Sequence, residues 1–268
     1  MSTKGIYTAL SGAIAQNAKL DTIANNIANS STAGFKKDQQ VFKEYLTANE
    51  KYPDNIQVPR VTASIESFYD NQGGDRGYVD SAGTFTDFSQ GSLKQTGNKF
   101  DLALEGKGFF EIMTPNGVKF TRDGAFHLSH DGKLVNKEGF AVLRSGNQDP
   151  AQRSIQIPNA HSTIAYNGEI YSGGQLAAKL SIVEFQNPDV LKKMGNSMYS
   201  IKEKMNPVMS IAENAKVHQG SIETSNVNIV QEMTDMINAT RVFESTQKAI
   251  KAFDEMNAKL VNDVPKLR

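Results

Sequence analysis

Apolar positions recur with two different periods along this chain, and the change of period divides it. Ile6, Leu10, Ala13, Asn17, Leu20, Ala24 and Ile27 follow one another at steps of four and three, the seam of a helix that packs against other helices. The same steps return from Met236 through Ala239, Phe243, Thr246, Ile250, Phe253, Asn257 and Leu260. Between these stretches, from about Thr84, the period falls to two: Phe100, Leu102 and Leu104 alternate with Asp101 and Ala103, and Phe110 and Ile112 flank Glu111. The pattern predicts a segregated α+β protein, with amino- and carboxy-terminal α-helices forming a coiled-coil domain and an inserted all-β antiparallel domain.

Local signals set the expected boundaries. The first helix is expected from Ser2 or Thr3 to about Asn29, where Ser30, Ser31 and Thr32 compete for backbone hydrogen bonds and Gly34 suits a left-handed turn. Lys36 to Leu46 reads as a second helical or irregular stretch, and Pro53, Pro59, Gly73, Gly74 and Gly77 punctuate a connector with one strand at Val58 to Ile65. Asn116-Gly117, Asp123-Gly124, Asp131-Gly132 and Asn167-Gly168 predict hairpin turns, because a two-residue turn of the favoured hand needs positive φ. The strands around them suggest a sandwich or partly closed barrel. Thr224, Ser225 and Asn226 are capping types, so the last helix is expected from about Val227 to Val261, ending before Pro265. The expected organisation is a helix in 1–36 paired with 222–268, an extended connector in 37–83 and a β-rich domain in 84–221.

Composition narrows the function classes. The 268 residues are 38% apolar, enough for a packed core, and 29 basic side chains balance 29 acidic ones, so nothing steers the molecule toward nucleic acid. There is no cysteine, which removes disulfides, thiolate metal sites and thiol nucleophiles together. Lys4 is followed by no apolar run of signal-peptide length, since Ser11, Gln16, Asn17, Lys19 and Asp21 interrupt it. No stretch approaches the roughly 20 apolar residues of a membrane span, so direct membrane insertion is not expected.

Candidate chemistry is sparse. His127 and His130 stand near Asp123 and Asp131, but the Asp-Gly turns around them put both at a hairpin end with no third ligand. The run Glu105 to Gly108 has two glycines without phosphate-loop spacing or a following helix. No carboxylate pair is singled out, and no serine sits in a nucleophile elbow. The reading assigns no catalytic, cofactor-binding or metal residue. If the two helical seams met only each other, their outer faces would expose Ile14, Ile23, Met233 and Ile237, more apolar surface than a pair covers. Head-to-tail contacts between copies would cover it, and such contacts build rings or open helical filaments.

Four stretches carry a resemblance. IANNIANSSTAGFKK (Ile23 to Lys37) resembles the amino-terminal signature of the bacterial flagellar axial proteins, the rod, hook and hook-associated family, and GSIETSNVNIVQEMTDMINATRVFE (Gly220 to Glu244) resembles their carboxy-terminal signature. FSQGSLKQTGNKFDLALEGKGFFEI (Phe88 to Ile112) and FTRDGAFHLSHDGKLVNKEGF (Phe120 to Phe140) are similar to the β domain of the rod and hook proteins. The resemblance implies a structural subunit without enzymatic activity or cofactor, whose terminal helices form the inner coiled-coil layer of a hollow tube. It implies export through the flagellar type III apparatus without a cleaved signal peptide, location in the basal-body rod crossing the periplasm, and assembly with other rod and hook proteins for motility. KGIYTALSGA and MTDMI (Met233 to Ile237) resemble the proximal rod member, and the connector lacks the GxGV segment usual in the distal one. A distal rod or hook-type protein is the alternative within the family. From another class, the alternative is a cell-wall hydrolase or carbohydrate-binding β module, which would release fragments from peptidoglycan or bind it saturably.

The candidate assembly interface follows. On the first helix it comprises Ile6, Leu10, Leu20, Ile23 and Ile27 with Asn25, Asn26 and Asn29, whose amides can fix register. Gly34 and Phe35 set the turn and anchor beyond it, and Ser225, Asn226, Val227 and Asn228 form the entry to the last helix. Met233, Met236, Ile237, Phe243, Ile250, Phe253 and Leu260 continue along that helix.

Overall fold

A computed structural model describes residues 4–46, 77–157, 162–202, 207–212 and 214–263. The connector from 47 to 76, with the strand expected at Val58 to Ile65, lies outside the described residues, as does Pro265. The chain has an amino-terminal helix, a central, mostly antiparallel β region and a carboxy-terminal helix, an α+β arrangement. It divides into two compact units, one of residues 1–25, 38–85 and 230–268, the other of residues 26–37 and 86–229.

The first unit holds α1 (Lys4–Ala28) up to Asn25, the strands β1 (Asp38–Leu46) and β2 (Gly77–Thr86), and α2 (Ile229–Asp263) from Val230 onward. β1 lies where a helical or irregular stretch was expected. Val41, Phe42 and Tyr45 explain the difference: β-branched and aromatic side chains favour a pleated strand, and β2 pairs with this one in a two-stranded sheet. The hydroxyl of Thr22 on α1 donates to Oε1 of Gln40 on β1 at 3.2 Å, and the backbone N–H of Val79 on β2 donates to the Ser11 hydroxyl at 3.4 Å.

The second unit contains β3 (Leu93–Gln95), β4 (Leu102–Glu105), β5 (Phe109–Thr114), β6 (Gly117–Thr121), β7 (His127–Leu128), β8 (Leu134–Val135) and β9 (Ala141–Val142). It continues through β10 (Ser162–Ile164), β11 (Glu169–Ser172), β12 (Gln175–Lys179), β13 (Ile182–Phe185), β14 (Leu191–Gly195) and β15 (Met198–Ile201). It ends with β16 (Met209–Ile211), β17 (Lys216–Gln219) and β18 (Ser221–Glu223). The largest sheet runs β14-β15-β6-β5-β9-β8-β7 and branches at β5, which also pairs with β13, itself paired with β16. Among the described residues this path stays open and does not close into a barrel. A three-stranded sheet β10-β11-β12 and the pairs β17-β4 and β18-β3 complete the unit.

Strand β5 shows why the unit is stable. Phe110 and Ile112 point into one core with Leu102, Leu104, Leu134, Val142, Ile155 and Leu180, while Phe109 points into a second with Phe120, Val183, Phe185, Leu191 and Tyr199. Both faces of β5 are therefore apolar and covered. Glu111 between them is buried too, and accepts from Arg153 at 2.9 Å and from the Ser181 hydroxyl at 2.7 Å.

The hairpin signals divide. Asp131-Gly132 and Asn167-Gly168 do turn the chain, with Gly132 at φ 70° and Gly168 at φ 80°. At β5-β6 the register pairs Thr114 with Gly117, so the loop is Pro115-Asn116 and Gly117 opens the next strand. Asp123-Gly124 is no hairpin. A Cβ on Gly124 would stand 1.6 Å from the Leu102 carbonyl oxygen, so this glycine permits one backbone to cross closely over another.

Candidate assembly site

The helices of the first unit each have a covered side and an apolar outer side. On α2 the buried or half-buried positions are Glu232, Asp235, Met236, Ala239, Phe243, Thr246, Ile250, Phe253 and Asn257, of which the run from Met236 to Asn257 keeps the three-four spacing that the sequence spells. Leu260 closes that line in sequence. Met233 and Ile237 lie off it, 50% and 54% exposed, with Val230 alongside at 75%.

On α1 the covered line is rotated from the expected one. Asn17 and Ala24, expected in the seam, are exposed, and Leu10 is 44% exposed, whereas Ala13, Ala15 and Ile23 are buried and Ile6, Leu20 and Ile27 half-buried. Ile23 was expected on the outer face. The reason is the strand pair: Thr22 and Ser11 bond to β1 and β2, so α1 presents a face to a ribbon as well as to a helix. Tyr7, Leu10 and Ile14 form the exposed apolar stripe. Gly5 lies against α2, where a Cβ would meet the Phe253 ring at 3.5 Å.

In the second unit the two chain ends meet in a buried clamp. After α1, Ser30 donates to the Ile27 carbonyl at 2.7 Å, and the chain turns at Gly34 with φ 65°. A Cβ there would stand 2.3 Å from the Asp123 nitrogen, so both conformation and space require glycine. The Gly34 N–H donates to the Glu223 carbonyl at 2.8 Å. Phe35 is buried beneath the Lys193 ammonium, which lies 4.2 Å from its ring centroid.

Glu223 is the centre of the clamp and is fully buried. One carboxylate oxygen accepts from Lys36 at 2.6 Å and from the Gly91 N–H at 2.9 Å, and the other accepts from Arg122 at 3.2 Å. Lys36 also donates to the Ser89 carbonyl at 2.6 Å, and Arg122 to the Gly106 carbonyl at 2.6 Å while lying over the Phe109 ring. Burial pulls the Lys36 ammonium below its ordinary pKa, against the opposing pull of Glu223, and does the same to Arg122.

Asn226 is not a helix cap, because α2 starts three residues later. Its Oδ1 accepts from the Lys37 N–H at 2.8 Å and its Nδ2 donates to the Asp87 carbonyl at 2.9 Å. Ser225 is buried and accepts from the Val227 N–H at 3.3 Å, Val227 is half-buried and Asn228 exposed. Asn26 is buried, Asn25 exposed, and Asn29 half-buried with its Oδ1 accepting from Thr32 at 3.3 Å. Of the candidate residues, then, Asn26, Gly34, Phe35, Ser225 and Asn226 are engaged inside one chain, while Leu10, Met233 and Ile237 face outward. Lys36, Arg122 and Glu223 were not singled out by sequence.

His130 is exposed with Asp131 beside it at 3.8 Å, and among the described residues no three His, Cys, Asp or Glu side chains group to hold a metal. Among the described residues no helix is long and apolar enough to cross a membrane.

The first unit thus carries long helices with exposed apolar stripes, and the second a β unit pinned by glycines, with no metal-binding cluster among the described residues. Residues 6–36 match the flagella basal body rod protein family, 103–174 the flagellar hook protein FlgE/F/G D1 domain, and 218–263 the flagellar basal body rod FlgEFG protein C-terminal family. The chain is similar to the flagellar basal-body rod protein FlgG of Bacillus subtilis, 33% identical over 97% of this chain and 98% of that protein. It is similar to FlgG of Agrobacterium fabrum, 33% identical over 94% of this chain and 96% of that one, and to FlgF of Mesorhizobium japonicum, 31% identical over 90% and 89%. The chain belongs to the flagellar basal-body rod protein family, whose members are structural proteins and not enzymes.

Proposed function

We propose that this chain, a structural subunit of the flagellar basal-body rod, occupies the proximal rod and assembles there through the outer faces of α1 and α2. The observation that carries this reading is the pair of exposed stripes, Tyr7-Leu10-Ile14 and Val230-Met233-Ile237, on helices whose other sides are already covered. Ordering a helix costs on the order of 1 to 2 kcal/mol per residue, and each large apolar side chain returns about 1.5 to 3 only when it is covered. Neighbouring subunits supply that cover. A coiled-coil pairing of the α2 seam with α1, supported by Gly5 against Phe253, would form the inner layer of a tube.

The opening KGIYTALSGA, the MTDMI run and the absence of a GxGV segment from the connector favour the proximal member, while relatives named FlgF and FlgG match at similar identity. Export through the flagellar type III apparatus, without a cleaved signal, brings the chain to a rod crossing the periplasm. Other rod and hook proteins are its neighbours. Density for this chain in images of isolated basal bodies tests the reading: it is expected at the proximal end with both helices innermost. Density confined to the distal rod, or helices facing outward, would refute it.

A further inference from the structure

We propose that Glu223 is a positioning residue for assembly, gathering the segment after α1, the 87–92 loop and Arg122 onto one carboxylate, and so fixing the segment that follows α1 against the segment that leads into α2. Its side chain takes Lys36, Gly91 and Arg122, and its own carbonyl takes Gly34. Three residues on, Asn226 accepts from the Lys37 N–H and donates to the Asp87 carbonyl.

The charges make the inference specific. Two buried cations share one buried carboxylate, with Asp87 and Glu184 as the further anions acting on Lys36 and Arg122. Removing Lys36 leaves Arg122 and Glu223 matched. Removing the charge of Glu223 leaves two buried cations facing each other, which is the costly way to break a buried pair. The three positions are therefore unequal, and the carboxylate matters most. Close approach adds to this, because a Cβ on Gly91 would stand 2.0 Å from the Thr224 carbonyl, so the loop passes directly against that backbone and admits only glycine there.

The test uses the full-length chain carrying Glu223→Gln, Glu223→Asp or Lys36→Met. Each is scored for thermal unfolding, for incorporation into rods, and for cross-linking of Gly5→Cys to Phe253→Cys by a short bis-maleimide in a chain that has no other cysteine. Lys36→Met is expected to assemble within about twofold of wild type. Glu223→Asp keeps the charge and shortens the reach; it should melt near the wild-type temperature yet lose assembly and cross-linking several-fold. Glu223→Gln should lose assembly at least tenfold.

Wild-type assembly by Glu223→Gln would overturn the proposal. So would Lys36→Met proving as harmful as Glu223→Gln, or Glu223→Asp losing assembly only in step with its unfolded fraction while cross-linking stays unchanged. If Glu223→Gln fails to fold, the other two variants decide. The inference rests on the assembly reading: a wild-type chain that never enters rods would sink that reading instead, and the cross-link alone would then judge the clamp.

Discussion

The clamp around Glu223 and the outer faces of the two helices both draw on residues near the two ends of the chain, and they solve opposite problems. In the clamp two buried cations share one buried carboxylate within one chain, and glycines at 34 and 91 stand where no side chain fits. On the helices, large apolar side chains at 10, 14, 233 and 237 stand in solvent. The contrast separates residues that hold the subunit together from the exposed residues through which assembly is proposed. Asn26, Gly34 and Asn226 are thus engaged within the subunit, whereas Leu10, Met233 and Ile237 are exposed and are the contacts proposed for neighbours.

The sharpest way to break the contrast is at Gly34. Gly34→Val puts a branched side chain at positive φ and into the Asp123 backbone, and is expected to cost on the order of 3 to 5 kcal/mol of stability, measured by urea unfolding. A variant of wild-type stability would mean that the turn is not pinned. Phe110→Ala, in the larger core, should cost about 3 to 5 kcal/mol too, through a cavity rather than strain, and should leave incorporation of the still-folded fraction intact. Ile237→Lys inverts the result: stability within about 0.5 kcal/mol of wild type, but rods no longer formed, seen as loss of motility with the protein folded.

The smallest expected effect lies on the surface. A hydrogen bond from His218 holds the Glu105 carboxyl below its ordinary pKa, so this contact stabilises the fold above the usual carboxylate range and is lost as pH falls through the depressed value. Salt should weaken it. His218→Gln is expected to return the Glu105 titration, followed by NMR, toward normal without touching assembly.

What the sequence allowed to be read follows the range of the interaction. The α2 seam was legible because three-four spacing is local, and residues 236 to 257 lie where that spacing puts them. The α1 seam was legible as a helix but rotated in fact, since its cover includes a strand pair that a helix-to-helix argument omits. β1 was misread because Val41, Phe42 and Tyr45 suit either a strand or a short helix until β2 is seen beside it. Asp123-Gly124 looked like a hairpin because the same dipeptide serves a close backbone crossing. The clamp was illegible: Lys36 and Glu223 lie 187 positions apart, and Arg122 and Glu223 lie 101 apart, so no local pattern links them.

The central claim is that the outer stripes of α1 and α2 are covered by neighbouring subunits. Its most direct measurement is the maleimide labelling rate of Ile14→Cys and of Ile237→Cys in this otherwise cysteine-free chain, compared between the unassembled subunit and intact rods. Both cysteines should label quickly in the free subunit and at least tenfold more slowly in the rod; equal rates in the two states would contradict the account.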